Sequence, residues 1–169
     1  REVVVVSGAR TAIGTFGGSL KDVPPTQLGA IVVAEVLKRA QVKGDEVGHV
    51  VFGHVVNTEP KDMYLARVAA LNGGVAQSAP CLTLNRLCGS GLQAIISAAQ
   101  SIMLGDADIA IGGGAENMSR GPFVLPTGRW GQRRGDFKAI DMMTGALHDP
   151  FDEIHMGVTT GAALDRPAA

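Results

Sequence analysis

The run Asn85-Arg86-Leu87-Cys88-Gly89-Ser90-Gly91-Leu92-Gln93-Ala94 holds the residue types for covalent chemistry at an informative spacing. One thiol stands between an apolar, strand-like segment, Pro80 to Leu84, and a long apolar, helix-like segment, Gly91 to Leu104. Glycines occupy the first and third positions after it, with a serine between them. A strand that turns sharply into a helix leaves the side chain at the turn exposed and close to the helix N-terminus. There, unpaired N–H groups and the positive end of the helix dipole favour thiolate over thiol. The thiolate is the form that attacks a carbonyl carbon, so acyl chemistry is what this position offers. Gly89 and Gly91 permit the tight backbone path and let an acyl group approach the main chain.

The competing reading is packing, because a cysteine in an apolar chain is usually a small buried hydrophobe. Cys81, in Pro80-Cys81-Leu82-Thr83-Leu84-Asn85 with no glycine beside it, reads that way. A generic Cys-His enzyme would need one of the four histidines as its base. His49 and His54 flank a strand-like stretch and read as structural or solvent-exposed. His148 precedes Asp149-Pro150 in a turn-like stretch, and His155 sits in His-Met-Gly. None carries a sequence signature for a general base.

Alternating elements must position the thiol. Glu2 to Ser7 contains four consecutive valines, which predicts a strand buried on both faces, as in a parallel sheet. Thr26 to Ala40 has apolar residues at helical spacing after Pro24-Pro25 and predicts a surface helix. Val47 to Val56 predicts a second strand whose regular part ends at Gly53. Asp62 to Asn72 predicts a helix with Asp62 as N-cap and Gly73-Gly74 as stop. The Cys81 strand and the Cys88 helix follow; Gly105-Asp106 ends the helix, and Ala107 to Ile111 is a fourth strand. This order gives a mainly parallel α/β layer architecture. The Cys88 helix is apolar almost all round, from Leu92 to Leu104, and so wants cover on two sides.

Asn-x-x-Cys-Gly-Ser-Gly-Leu-Gln-Ala resembles the nucleophile motif of the thiolases, which transfer acyl groups between coenzyme A thioesters. Other segments are similar to the same family. Val6-Ser7-Gly8-Ala9-Arg10-Thr11-Ala12-Ile13-Gly14 looks like its first strand and turn, and Asp108-Ile109-Ala110-Ile111-Gly112-Gly113-Gly114-Ala115-Glu116-Asn117-Met118-Ser119 like its fourth strand. Gly135-Asp136-Phe137-Lys138 and His155-Met156-Gly157-Val158-Thr159 resemble segments of its loop domain. The resemblance runs from Glu2 to about Thr159.

It implies a thiolase-like layered α/β fold, of which this chain contains the N-terminal half, with helices on both faces of a mainly parallel sheet. Residues 1–118 would form the nucleophile domain, 119–159 a partial loop domain, and 160–169 an atypical tail. Cys88 would be the acyl-carrying nucleophile, with its own N–H helping to hold a developing oxyanion. Leu147, His155 and Met156 match positions that line the acyl and pantetheine pocket. The reaction implied is reversible formation or thiolytic cleavage of a 3-ketoacyl-CoA, of the short-chain acetoacetyl-CoA type. Coenzyme A thioesters are then substrates, no metal or redox cofactor is implied, and the family assembles as dimers or tetramers, with the Cys81–Asn85 strand at a two-fold interface. The histidine and second cysteine that the family uses for acid-base work belong to motifs not found in these residues. The alternatives are a related ketoacyl synthase-like condensing enzyme and a non-catalytic assembly fragment.

Composition excludes some classes. Net charge is −1 with acidic and basic residues interspersed, so there is no basic field for nucleic acid. Two cysteines outside any C-x-x-C pair argue against a zinc site or disulfide framework and point to a reducing compartment, hence the cytoplasm. Val3 to Val6 is too short for a signal sequence, and the Cys88 helix, interrupted by Gln93, Gln100 and Ser101, reads as short of a membrane span. Arg120 to Arg134 reads as a solvated loop in which Trp130 would bury its ring as an anchor. Thr160 to Ala169, with a glycine, a late proline and no apolar periodicity, argues against a continued helix.

Overall fold

The computed structural model describes residues 1–164. It divides into two compact units, Arg1–Arg120 and a second beginning at Gly121.

The first unit is an α/β layer structure. In chain order it contains α1 (Pro25–Ala40), β1 (His49–Gly53), a 3-10 helix (Pro60–Tyr64), α2 (Leu65–Asn72), β2 (Cys81–Leu84), α3 (Ser90–Leu104) and β3 (Ala110–Gly114). The three strands form one parallel sheet in the order β2-β1-β3. Val50 lies opposite Cys81 on one side and Ile111 on the other. β1 is therefore central, and its alternation feeds two cores. Val50 and Phe52 pack with Val33 of α1 and with Leu65, Ala66 and Ala69 of α2. Val51 points the other way, to Ala94 and Ala98 of α3. Helices thus cover both sheet faces, and an apolar run without polar alternation is what such a strand needs.

The helix ends follow local chemistry. α1 starts on Pro25, whose fixed φ suits the first turn, and ends with Lys38 and Arg39 near its negative pole. α3 stops at Gly105, whose φ of 87° lets its N–H fold back onto the Ile102 carbonyl. Asp62 is not the N-cap of α2. It sits inside the 3-10 turn, fully buried, where Oδ2 accepts the N–H and hydroxyl of Thr58 and the Glu59 N–H. Pro60 starts that turn two residues earlier than the apolar periodicity does, which moves the cap to Glu59.

Three further expectations need correction in this unit. Glu2 to Ser7 forms no strand, and Val5 is 85% exposed. The segment is tied by side chains instead: Arg1 pairs with Asp108, and Arg39 donates to the Gly8 carbonyl. A run apolar on both sides gains from burial only where layers enclose it, and the sheet and helices described here leave Val4, Val5 and Val6 uncovered. The third strand of the sheet begins at Ala110 and runs through Gly112 and Gly113, later than the apolar residues suggest. Gly112 is where α3 presses on the sheet, and Gly113 lies against the Phe52 ring on the other face, so the absence of side chains is the structural requirement at both. Leu87–Leu104, with mean hydropathy 1.4, is long and apolar enough by composition to cross a membrane, which its glutamines and serine had argued against. Here its small residues Ser90, Ala94, Ala98 and Ser101 face the sheet, while the larger apolar residues Leu92, Ile95 and Leu104 are exposed.

The second unit pairs β4 (Phe123–Val124) antiparallel with β5 (Ile140–Asp141), followed by α4 (Met142–Gly145) and α5 (Met156–Leu164). Trp130 anchors nothing in it: at 85% exposure its ring is in solvent, among Arg129, Gly131 and Arg133. α5 carries the chain helically through Thr160 to Leu164, against the expectation of a break; Thr160 fits because its hydroxyl donates to the Met156 carbonyl one turn back. The rest of the tail lies outside the described residues.

Candidate nucleophile site

Cys88 is exposed, on the turn that joins β2 to α3 and one residue before the α3 N-cap, Gly89. The sequence requires a sharp reversal there, and the structure shows how it is held. Leu87 lies in the left-handed region at φ 49°, where L side chains are uncommon. Asn85 Oδ1 accepts the Leu87 N–H at 2.8 Å. Ser90 Oγ accepts the Arg86 N–H at 2.8 Å and donates to the Leu87 carbonyl at 2.6 Å. The Arg86 guanidinium leans along α3 to Gln93 Oε1 at 2.6 Å. Cys81, by contrast, is partly buried on β2, with its thiol donating to the Ala79 carbonyl at 3.6 Å beside Arg67.

Among the described residues no histidine is hydrogen-bonded to Cys88. His54 is buried at the end of β1, where Nδ1 lies 2.8 Å from the Ala115 carbonyl and 3.2 Å from Glu116. A carbonyl only accepts, so that nitrogen carries a proton. His54 and Glu116 join the ends of β1 and β3, Glu116 accepting the N–H groups of Val55 and Val56, while Asn117 Nδ2 donates to the carbonyls of Leu20, Lys21 and Val23 in the segment before α1. An open groove on the α1–α2 face, lined in part by Thr26, Ile31 and Asn72, holds no thiol and no titratable group.

The second unit brings the other predicted site residues together. The Met156 N–H donates to the Leu147 carbonyl at 2.9 Å, and the His148 and His155 rings meet edge to face at 5.6 Å. His155 Nδ1 accepts the Gly157 N–H at 3.1 Å, which leaves Nε2 as the outward nitrogen. Leu147, His155 and Met156 are all exposed. Asp141 supports this corner by capping α4: its carboxylate accepts the Met143 N–H at 2.9 Å and the Thr144 hydroxyl at 2.6 Å. The Thr144 hydroxyl holds the Asp141 carboxyl below the ordinary aspartate value. A depressed carboxyl stabilises the fold above its unfolded value and loses that contribution as pH falls through the lowered one. An NMR titration is expected to find the Asp141 midpoint below that of an unstructured aspartate, and Thr144→Ala is expected to raise it. A midpoint that ignores Thr144→Ala contradicts the assignment.

Residues 3–168 match the family described as thiolase, N-terminal domain. The chain belongs to the thiolase family. A beta-ketothiolase (BktB) of Cupriavidus necator is 74% identical over 159 residues, which cover 94% of this chain and 40% of that protein. The crystal structure of an acetyl-CoA acetyltransferase from Bacillus anthracis superposes with a TM-score of 0.91 at 39% identity, over 96% of this chain and 41% of that one. The human mitochondrial 3-ketoacyl-CoA thiolase, solved in complex with CoA, gives 0.89 at 34% identity over 93% of this chain and 40% of that one. The chain thus spans about two fifths of the length of the thiolases it matches. The layered α/β fold expected from the sequence is the fold of these thiolases.

Sequence reasoning missed Ser90 as a holder of the thiolase turn. The available signal was a serine at the first position of an otherwise apolar helix, a residue type that binds local backbone.

Proposed function

We propose that this chain is the nucleophile-bearing part of a thiolase-type acyltransferase, with Cys88 as the acyl carrier. The observation that carries the reading is an exposed thiol on the turn one residue before the α3 N-cap, at the positive end of that helix. The Cys88 thiolate attacks a thioester carbonyl carbon, the oxygen takes the electron pair, and collapse of the tetrahedral adduct expels the coenzyme A thiolate. The acyl group then passes to the carbanion of a second acyl-CoA, giving a 3-ketoacyl-CoA and restoring the thiolate. The reverse direction is thiolysis. Every step is redox-neutral, so coenzyme A thioesters enter as substrates and the chemistry calls for no metal. Leu147, His155 and Met156 are assigned to the acyl and pantetheine pocket. The setting that fits two unbridged cysteines is the cytoplasm, and the exposed outer side of α3 supports association with further polypeptide as a homo-oligomer.

Iodoacetamide at neutral pH tests the nucleophile. Cys88 is expected to be alkylated at least about tenfold faster than Cys81, as an exposed thiol at a helix N-terminus should be, and faster than glutathione under the same conditions. Equal rates at the two cysteines, or a Cys88 slower than glutathione, end this reading and leave the packing one.

A further inference from the structure

We infer that Ser90 is a positioning residue, which aims and polarises the Cys88 N–H as an oxyanion donor. The inference rests on the nucleophile reading above and adds the group that prepares the site. The Leu87–Cys88 peptide is trans and planar, so its N–H points opposite to its C=O. The Leu87 carbonyl is drawn inward by two donors, the Ser90 hydroxyl at 2.6 Å and the Ser90 N–H at 2.9 Å. The Cys88 N–H must therefore point outward, on the exposed side of the turn, and among the described residues it has no acceptor. Two hydrogen bonds at the carbonyl also draw electron density through the peptide, which strengthens the N–H as a donor. Oxyanion stabilisation needs donors that are already aimed before charge develops.

The same hydroxyl restrains the unfavourable residue between its two partners. It accepts from Arg86 N–H and donates to the Leu87 carbonyl, bracketing Leu87 at φ 49°. Ser90 itself has little room to move. It is 5% exposed, and a Cβ placed on Gly53 of β1 would meet its Cβ at 2.7 Å. Sheet, serine and strained turn thus form one rigid chain of contacts ending at the Cys88 peptide.

The test compares two reagents on Cys88 in the full chain carrying Cys81→Ala. Acylation by p-nitrophenyl acetate builds an oxyanion before p-nitrophenolate leaves and acetyl-Cys88 remains. Alkylation by iodoacetamide displaces iodide and builds none. Ser90→Ala is expected to lower the ratio of acylation to alkylation rate by about tenfold, a fraction of what removing a whole oxyanion donor does. It is also expected to move the Cys88 amide nitrogen resonance while the amides of Ile95 to Leu104 stay in place. An unchanged ratio, or an equal loss in both rates, overturns the inference. If Ser90→Ala does not fold, the same ratio is read against Leu87→Gly in the double variant Leu87→Gly/Ser90→Ala, since glycine adopts positive φ freely. A Cys88 that neither reagent labels faster than glutathione sinks the nucleophile reading; the amide resonance then still decides whether Ser90 grips that peptide.

Discussion

The 169 residues, supplied with acetyl-CoA, are expected to show no catalytic release of CoA. Turnover in both directions should fall at least about four orders of magnitude below that of a full-length thiolase, since positioned acid-base groups contribute roughly 10² to 10⁴ each. The reason lies around Cys88. Its turn is held by Asn85, Arg86 and Ser90, none of which exchanges protons near neutral pH. Three of the four imidazoles are engaged elsewhere, His54 with Ala115 and Glu116, His148 with the Thr144 carbonyl and His155 with the Gly157 N–H, and His49 starts β1 at the sheet end opposite the turn that follows β2. Condensation needs a proton removed from the thiol and another from the carbon of the second acyl group. Among the described residues, no general base is hydrogen-bonded at the Cys88 turn to take either proton. A coupled assay for free CoA, run beside the Cupriavidus necator beta-ketothiolase, checks this. Turnover within a hundredfold of that enzyme would show that a base is present and would refute the argument.

Much of the frame was readable from residue types, and the failures share one cause. β1 and β2 were legible because their apolar residues lie between two cores, and periodicity reports burial. α1 and α3 were legible because proline, glycine and spacing mark their ends. The valine run Val3–Val6 misled because hydrophobicity reports a demand for cover, while a strand also needs a paired neighbour. β3 misled in the opposite sense: Gly112 and Gly113 carry no hydrophobic signal, yet their backbone is what the sheet requires. Trp130 shows the same limit, since a large ring states a preference and the fold must supply the place.

The site divides along similar lines. The thiol, its glycines and the helix behind it could be read as one chemical unit. The Leu87 conformation could not, because no composition rule puts leucine at positive φ. The group of buried His54 and Asp62 with the more exposed Glu116 was equally silent, because its members are 54, 62 and 116 in sequence and meet only when β1 and β3 pair. Short-range chemistry was legible; partners joined by the sheet were not.

The seating of α3 on glycine carries the other large expectation, and it turns on sign. Gly112→Ala should destabilise the first unit by about 2–3 kcal/mol, in the range of core overpacking. A Cβ there would lie 2.7 Å from Ile95 Cα and 3.0 Å from the Ala94 carbonyl oxygen. Both are backbone atoms of a packed helix, so no rotamer change relieves the clash, and α3 must lift from β1 and β3. Gly91→Ala makes the same chemical change inside α3 with nothing within 4 Å of the new methyl. There alanine's better helix propensity acts alone and should stabilise by about 0.5–1 kcal/mol. Urea unfolding followed by circular dichroism should therefore move the two midpoints in opposite directions at equal slope. If both rise, α3 is not seated where Gly112 places it, and the route from sheet to Cys88 by way of Gly53 and Ser90 loses its foundation. If Gly112→Ala alone falls and also slows Cys88 labelling, the glycine groove under α3 is what holds the thiol at the mouth of its turn.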